Sequence, residues 1–95
     1  MADKYSVKII DEGRSGKINY SEGIFRSHSF YWEFGGGNAV VLISIPTPTE
    51  WPTAIGWAPN RRDEILDRLA NEVVRQRCRG CHPHVTDAWL EILEP

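Results

Sequence analysis

The sequence predicts an α+β domain of two layers, an antiparallel β-sheet of four to five strands packed on one long α-helix in the order ββββαβ. The first 45 residues alternate apolar and polar side chains in segments separated by turn residues. An apolar stripe with helical spacing follows Asn60. Sequential strands with short connections pair antiparallel, and the stripe of the helix requires a sheet face to cover. Residues 1–95 are close to the size of one ordinary domain, so we expect a single domain.

The first two strands are predicted as a hairpin. Tyr5 to Ile10 has an apolar residue at every second position, Asp11 to Gly16 supplies turn residues, and Lys17 to Tyr20 resumes the alternation. Within this region Gly13 to Lys17 superficially resembles a phosphate-binding loop. It lacks the required glycine spacing and the hydroxyl residue after the lysine, and it joins two strands, so we expect no nucleotide site.

The third and fourth strands carry the clearest signals. Ile24 to Phe34 is predicted as a strand. Its alternation places His28, Phe30, Trp32 and Phe34 on one face and Ser29, Tyr31 and Glu33 on the other. Gly35 to Asn38 then forms a turn. Ala39 to Ile45 is nearly continuous in apolar residues, which is typical of a central strand covered on both faces.

A stiff loop, a helix and one final element complete the prediction. Pro46 to Asn60 contains four prolines and is expected to form neither a ladder nor a helix. Asn60 is the expected N-cap of a helix from Arg61 to Arg79, and Gly80 is the expected residue after its end. The predicted buried stripe consists of Ile65, Leu66, Leu69, Ala70, Val73 and Val74. Asp87 to Leu93 is predicted as a last strand, with Ala88, Leu90 and Ile92 inward, in preference to a short helix capped by Thr86.

Composition excludes several functional classes. Eleven lysines and arginines against thirteen aspartates and glutamates give a net charge of -2, which does not favour nucleic acid. No apolar run approaches the length that spans a membrane. The first residues lack the apolar core of a secretory signal, so a cytoplasmic location is expected.

The candidate catalytic residues are His28, Ser29 and Glu33, which lie on one strand. His28 and Glu33 point to opposite faces and cannot act together, so we expect that the protein is not an enzyme.

Cys78, Cys81, His82 and His84 form the sharpest local pattern. The spacing matches covalent haem attachment, a zinc knuckle or a redox dithiol. The haem interpretation lacks an export signal, and four zinc ligands within seven residues are too crowded for a tetrahedral site. A dithiol at the C-terminal end of a helix lies at the negative end of the helix dipole, which opposes the formation of a reactive thiolate. We therefore expect no metal and no cofactor, and a small metal-binding or redox protein built on these residues is the alternative.

Two tryptophans in the proline-rich loop are the candidate binding residues. Trp51, Pro52 and Trp57 are predicted to contact a partner, because tryptophans on a stiff loop are favoured anchors at protein interfaces. The competing interpretation is that both tryptophans fold back as lids over the edge of the sheet.

The chain resembles small bacterial immunity proteins, the antidotes of polymorphic toxin systems. The resemblance lies in Lys17 to Gly23, Val40 to Ile45, Trp51-Pro52 and the helix Arg61 to Arg77. It implies a non-enzymatic domain that binds and blocks a toxin made in the same cell, and it carries over no toxin-contacting residue. The expected partner is therefore another protein, and the chain itself is expected to be a monomer or a homodimer. An uncharacterised structural or homodimeric protein, paired through an open sheet edge, is a further alternative.

Overall fold

The computed structural model describes residues 4–95 as one six-stranded antiparallel sheet with one main helix against one of its faces. In chain order the elements are β1 (Ser6–Asp11), β2 (Ser15–Glu22), β3 (Arg26–Phe34), β4 (Ala39–Ser44), α1 (Trp51–Ala54), α2 (Arg62–Arg77), β5 (His82–Val85) and β6 (Trp89–Leu93). The strand order across the sheet is β1-β2-β3-β4-β6-β5. The predicted α+β class and antiparallel sheet are confirmed.

Alternation along the strands divides the sheet into a covered and an open face. Ile18 pairs with Ile9 on one side and Phe30 on the other, and Ile43 pairs with Trp32 and Leu90, so these side chains form continuous rows. The rows face α2, and most of these residues are at most 3% exposed. Within residues 4–95 no element covers the opposite face, so Leu42 of β4 stays partly exposed. The prediction that β4 is covered on both faces is therefore wrong.

Helix α2 forms as the stripe predicts. Ile65, Leu66, Leu69, Ala70 and Val73 are buried, and Val74 packs at the edge of the same cluster. Burial of each leucine, isoleucine or valine side chain in this set contributes about 1.5–3 kcal/mol. Acidic Asp63 and Glu64 occupy the first turn and basic Arg75 and Arg77 the last, which suits the helix dipole.

Gly16 of β2 leaves space for the indole ring of Trp32, which extends across β2 from β3 towards β1. Trp32 of β3 reaches over β2 and donates its Nε1–H to the carbonyl oxygen of Ile10 at 3.2 Å. A Cβ on Gly16 would collide with that same carbonyl and lie 2.8 Å from Trp32 Nε1. Only glycine leaves room for this bond, which ties three strands together.

The C-terminal region differs from the prediction. The strand predicted for Asp87 to Leu93 is present as β6 with Leu90 and Ile92 inward, but Ala88 precedes it and is exposed. The residues after Gly80, for which the sequence predicts no strand, form β5. This raises the strand count to six and places two strands after α2. Four exposed residues including a proline give no alternation of apolar side chains, so the sequence offered no strand signal there.

Other helix and strand boundaries differ from the predicted ones for local reasons. The proline-rich loop contains the one-turn helix α1, because Pro52 lies at its start, where a missing N–H costs nothing. Arg61, and not Asn60, is the residue before α2, with no side-chain cap. The helix ends at Arg77 because the Cys78 carbonyl accepts the Cys81 N–H in a turn. Ile24, predicted in the third strand, lies in the turn before β3.

Candidate functional site

The turn between β2 and β3 exposes two large apolar side chains. Glu22 and Arg26 close the hairpin, and Gly23 takes a φ of +72°, which is strained for other residues. Ile24 and Phe25, which follow, are 90% and 93% exposed. Single exposed apolar residues are ordinary, but two adjacent ones held on a strand-to-strand turn form a candidate contact point for another molecule.

A buried charge network fixes the base of this turn. The Glu22 side chain is 6% exposed and accepts from Arg61 Nη1 and Nη2 at 3.0 and 2.8 Å, from Arg68 Nη1 at 3.1 Å and from the Tyr20 hydroxyl at 2.5 Å. Arg61 and Arg68 also pair with Glu64 on α2. The network therefore connects the end of β2 directly to the main helix.

The electrostatics of the network follow from these contacts. Burial raises the pKa of Glu22, but hydrogen bonds from Arg61 and Tyr20 and the charges of both arginines outweigh it, so the pKa lies below its usual value. Burial, and then the hydrogen bond to Glu22, raise the pKa of Tyr20 to about 12. Glu22 is thus ionised and Tyr20 neutral at physiological pH.

The two predicted tryptophan anchors have different roles. Trp51 is 1% exposed and donates its Nε1–H to the Ala58 carbonyl at 2.9 Å, so the residue predicted as an exposed partner contact is buried in the core. Its indole folds inward as a lid, which was the competing interpretation. Pro52 is exposed.

Trp57 lies beside the turn. It is partly exposed, its ring stacks on Tyr20 with centroids 6.4 Å apart, and its Nε1–H donates to the Ser27 carbonyl at 3.4 Å. Trp57 therefore remains a candidate contact residue. We name Ile24, Phe25 and Trp57 the tip surface.

A cleft opens between β3 and the segment that follows β4. It has a volume of about 770 Å³. Its walls include Ser29 and Phe30 of β3, Pro46, and Thr49, Glu50 and Thr53 around α1. Glu50 Oε1 accepts from the backbone N–H and the hydroxyl of Thr47, both at 3.1 Å.

The polar residues of β3 do not converge on a catalytic arrangement. His28 is half-buried with its ring edge-on to Phe30 at 4.7 Å, and burial lowers its pKa. Ser29 Oγ donates to Asn19 Oδ1 at 2.7 Å on the open face, where Glu33 also lies. Strand alternation thus separates His28 from Ser29 and Glu33, as the sequence predicts.

The cysteine and histidine cluster is divided between two faces. Cys78 and Cys81 are joined by a disulfide, and Cys81 is buried in the core. His82 and His84 are exposed and pair with Leu93 and Glu91 of the open face. Among residues 4–95, no three histidine, cysteine or acidic side chains are grouped so that they could hold a metal ion. With both sulfurs bonded to each other, neither is a free thiolate.

No family model, curated protein or solved structure matches this chain. No helix within residues 4–95 is both long and apolar enough to cross a membrane.

Sequence reasoning missed the most exposed part of the site. It assigned Ile24 to a strand by extending the alternation of β3 backwards, and it did not single out Phe25. The signal was present: two large apolar residues directly follow Gly23 at a hairpin turn, where polar residues are usual.

Proposed function

We propose that this chain is a non-enzymatic protein-binding domain whose partner docks on the tip surface. The observation that carries the proposal is the exposure of Ile24 and Phe25, 90% and 93%, on a turn that their own side chains do not help to fold. Covering each of these side chains contributes about 1.5–3 kcal/mol. Partly exposed Trp57 adds an aromatic residue of the kind that dominates binding energy at interfaces.

The buried network beneath the turn supports this role. Arg61, Arg68 and Tyr20 hold Glu22 at the last position of β2, so the turn is anchored before a partner arrives. A preorganised turn loses little conformational freedom on binding, which leaves more of the apolar burial as net affinity.

We further propose that the partner is a toxin made in the same cell, so that the chain acts as a cytoplasmic immunity protein. The proposal of a toxin as the partner depends on the resemblance to immunity proteins. That resemblance lies in Lys17 to Gly23, Val40 to Ile45, Trp51-Pro52 and the helix Arg61 to Arg77. The first of these segments ends at Gly23, directly before the tip surface.

The test uses the product of the adjacent gene in the native host. We expect this product to inhibit growth when expressed alone and to form a stoichiometric complex with the wild-type chain. The Phe25→Ser variant should weaken the complex at least tenfold, measured by isothermal titration calorimetry, and should reduce growth rescue. Its fold should be unaffected because Phe25 is almost fully exposed.

Val85→Ser is the matched control. Val85 is also an exposed apolar residue, 45% exposed, but it lies on β5 at the far edge of the sheet. The control should bind like the wild type. Equal affinity of all three proteins would exclude the tip surface, and the absence of any complex would exclude the toxin as partner.

A further inference from the structure

The pairing of β3 with β4 stops halfway along β3. The ladder runs from Phe34 opposite Val41 to Tyr31 opposite Ser44. Continuing this register would place Ser29 opposite Pro46. Proline has no N–H to donate, so the ladder cannot extend to this pair.

The Pro46 carbonyl is also engaged elsewhere, because it accepts from Arg62 Nε at 3.2 Å. Pro46 makes no backbone hydrogen bond to β3 in the structure. The first half of β3 consequently has β2 on one side and the cleft on the other.

The direction of the Ser29 backbone follows from the hydrogen bonds around it. Phe34 N–H donates to Arg14 on the β2 side, whereas Gly35 N–H donates to Val40 on the β4 side. Because these directions alternate along a strand, the N–H and C=O of Ser27 and Ser29 point away from β2. The Ser27 carbonyl meets Trp57 Nε1 on that side, in agreement with this assignment. The Ser29 groups thus face the cleft without a strand opposite them.

The two outer edges of the sheet are less suited to accept another strand. On β1, the Val7 carbonyl already accepts from Gln76 Nε2 at 3.1 Å. On β5, four residues long, Pro83 removes one donor. These are common means of protecting sheet edges. At the gap, Trp57 engages the Ser27 carbonyl in a similar way, but no hydrogen bond within residues 4–95 engages the N–H or C=O of Ser29.

Charge at the cleft favours a particular side chain. Glu50 lies on the cleft wall, is exposed, and has no ion-pair partner among residues 4–95. The cleft is a shallow depression of about 770 Å³ that is open to solvent along its length.

We infer that the cleft binds an extended segment of the partner protein, which pairs as an added strand with the Ser29 N–H and C=O and places a lysine or arginine against Glu50. Main-chain bonds supply the pairing and the basic side chain supplies selectivity, as in other cases of strand addition. The inference rests on the proposed function and extends it, because His28, the first β3 residue that lines the cleft, is three positions after Phe25.

The test titrates the full chain with two blocked heptapeptides of alternating threonine and valine, one with a central lysine and the other with a central glutamate. Binding is followed by ¹⁵N–¹H NMR at millimolar peptide. The lysine peptide should shift and protect the Ser29 N–H and bind at least tenfold more tightly than the glutamate peptide. In the Glu50→Gln variant this preference should fall below threefold.

Ser29→Pro and Ser29→Ala form the matched pair of variants. Both lose the hydroxyl that bonds Asn19, but only Ser29→Pro loses the N–H in the cleft, and that N–H makes no bond to β2. Ser29→Ala should bind the lysine peptide like the wild type and Ser29→Pro at least tenfold more weakly. If Ser29→Pro does not fold, the peptide preference and its loss in Glu50→Gln decide the question.

No shift at Ser29 with the lysine peptide, or equal binding of both peptides, would overturn the inference. Neither result affects the tip surface, which the Phe25→Ser comparison tests separately. Conversely, loss of the Phe25 effect with intact peptide binding would overturn the proposed docking surface and leave the peptide site in place.

Discussion

Replacing Glu22 by glutamine should destabilise the fold by about 2 kcal/mol. Removing one member of a buried ion pair typically costs about 3–5 kcal/mol. Here the glutamine amide retains part of the hydrogen bonding, and Arg61 and Arg68 are 26% and 20% exposed, so water can partly replace the lost charge. We therefore expect the lower figure. For a domain of this size it corresponds to a fall in Tm of about 8–16 °C.

The pH dependence of this difference follows from the lowered pKa of Glu22. A carboxyl group whose pKa is lower in the folded state contributes stability above its unfolded pKa, about 4.3, and loses it as the pH falls through the folded value. The difference between wild type and Glu22→Gln should thus be constant from pH 7 to about pH 5 and narrow below about pH 4.

Urea unfolding followed by tryptophan fluorescence measures this difference directly. Glu64→Gln is the control, because Glu64 contacts the same two arginines but is 44% exposed, and its effect should be a small part of that of Glu22→Gln. A loss below about 0.5 kcal/mol for Glu22→Gln at pH 7 would refute the network as an anchor of the turn. So would a difference that persists unchanged at pH 2.

Three further predictions concern single side chains. Gly16→Ala should cost about 2 kcal/mol or more in urea unfolding because its Cβ meets the Ile10 carbonyl, whereas Gly36→Ala, with open space, should change stability by less than about 1 kcal/mol. Trp51→Phe should cost about 1–3 kcal/mol by leaving the Ala58 carbonyl without its donor; no loss in thermal unfolding would contradict its core role. Absorbance at 295 nm should show one tyrosine titrating near pH 12, and Tyr20→Phe should remove that step. Since the raised pKa of Tyr20 favours the neutral folded form, stability should fall as the pH rises above about 10.

The sequence predicts the covered half of the molecule well because burial leaves a periodic signal. The stripe from Ile65 to Val74 and the alternation of Ile18 and Tyr20 each identify the side that faces the core. Strands that are consecutive in the sequence pair antiparallel because short turns connect them. These features depend on local spacing and on the need to remove apolar surface from water.

Features that depend on contacts between distant segments were not predictable in the same way. Glu22 and Arg61 are 39 positions apart, and nothing local indicates that their side chains meet. The Trp51 indole satisfies its N–H through Ala58, so the same residue type that predicts an interface anchor is here a core residue. Predicting the cleft at Ser29 would require knowing the register of β3 against β4, because that register places Pro46 opposite Ser29.

The most direct test of the tip surface is site-specific photocrosslinking in the native host. A photoreactive benzoylphenylalanine is placed at position 25 in one variant and at position 85 in another, and crosslinked products are identified by mass spectrometry. Position 25 should yield one dominant protein adduct and position 85 none of the same mass. Identical adducts from both positions, or none from position 25 while the complex still forms, would contradict docking at this turn.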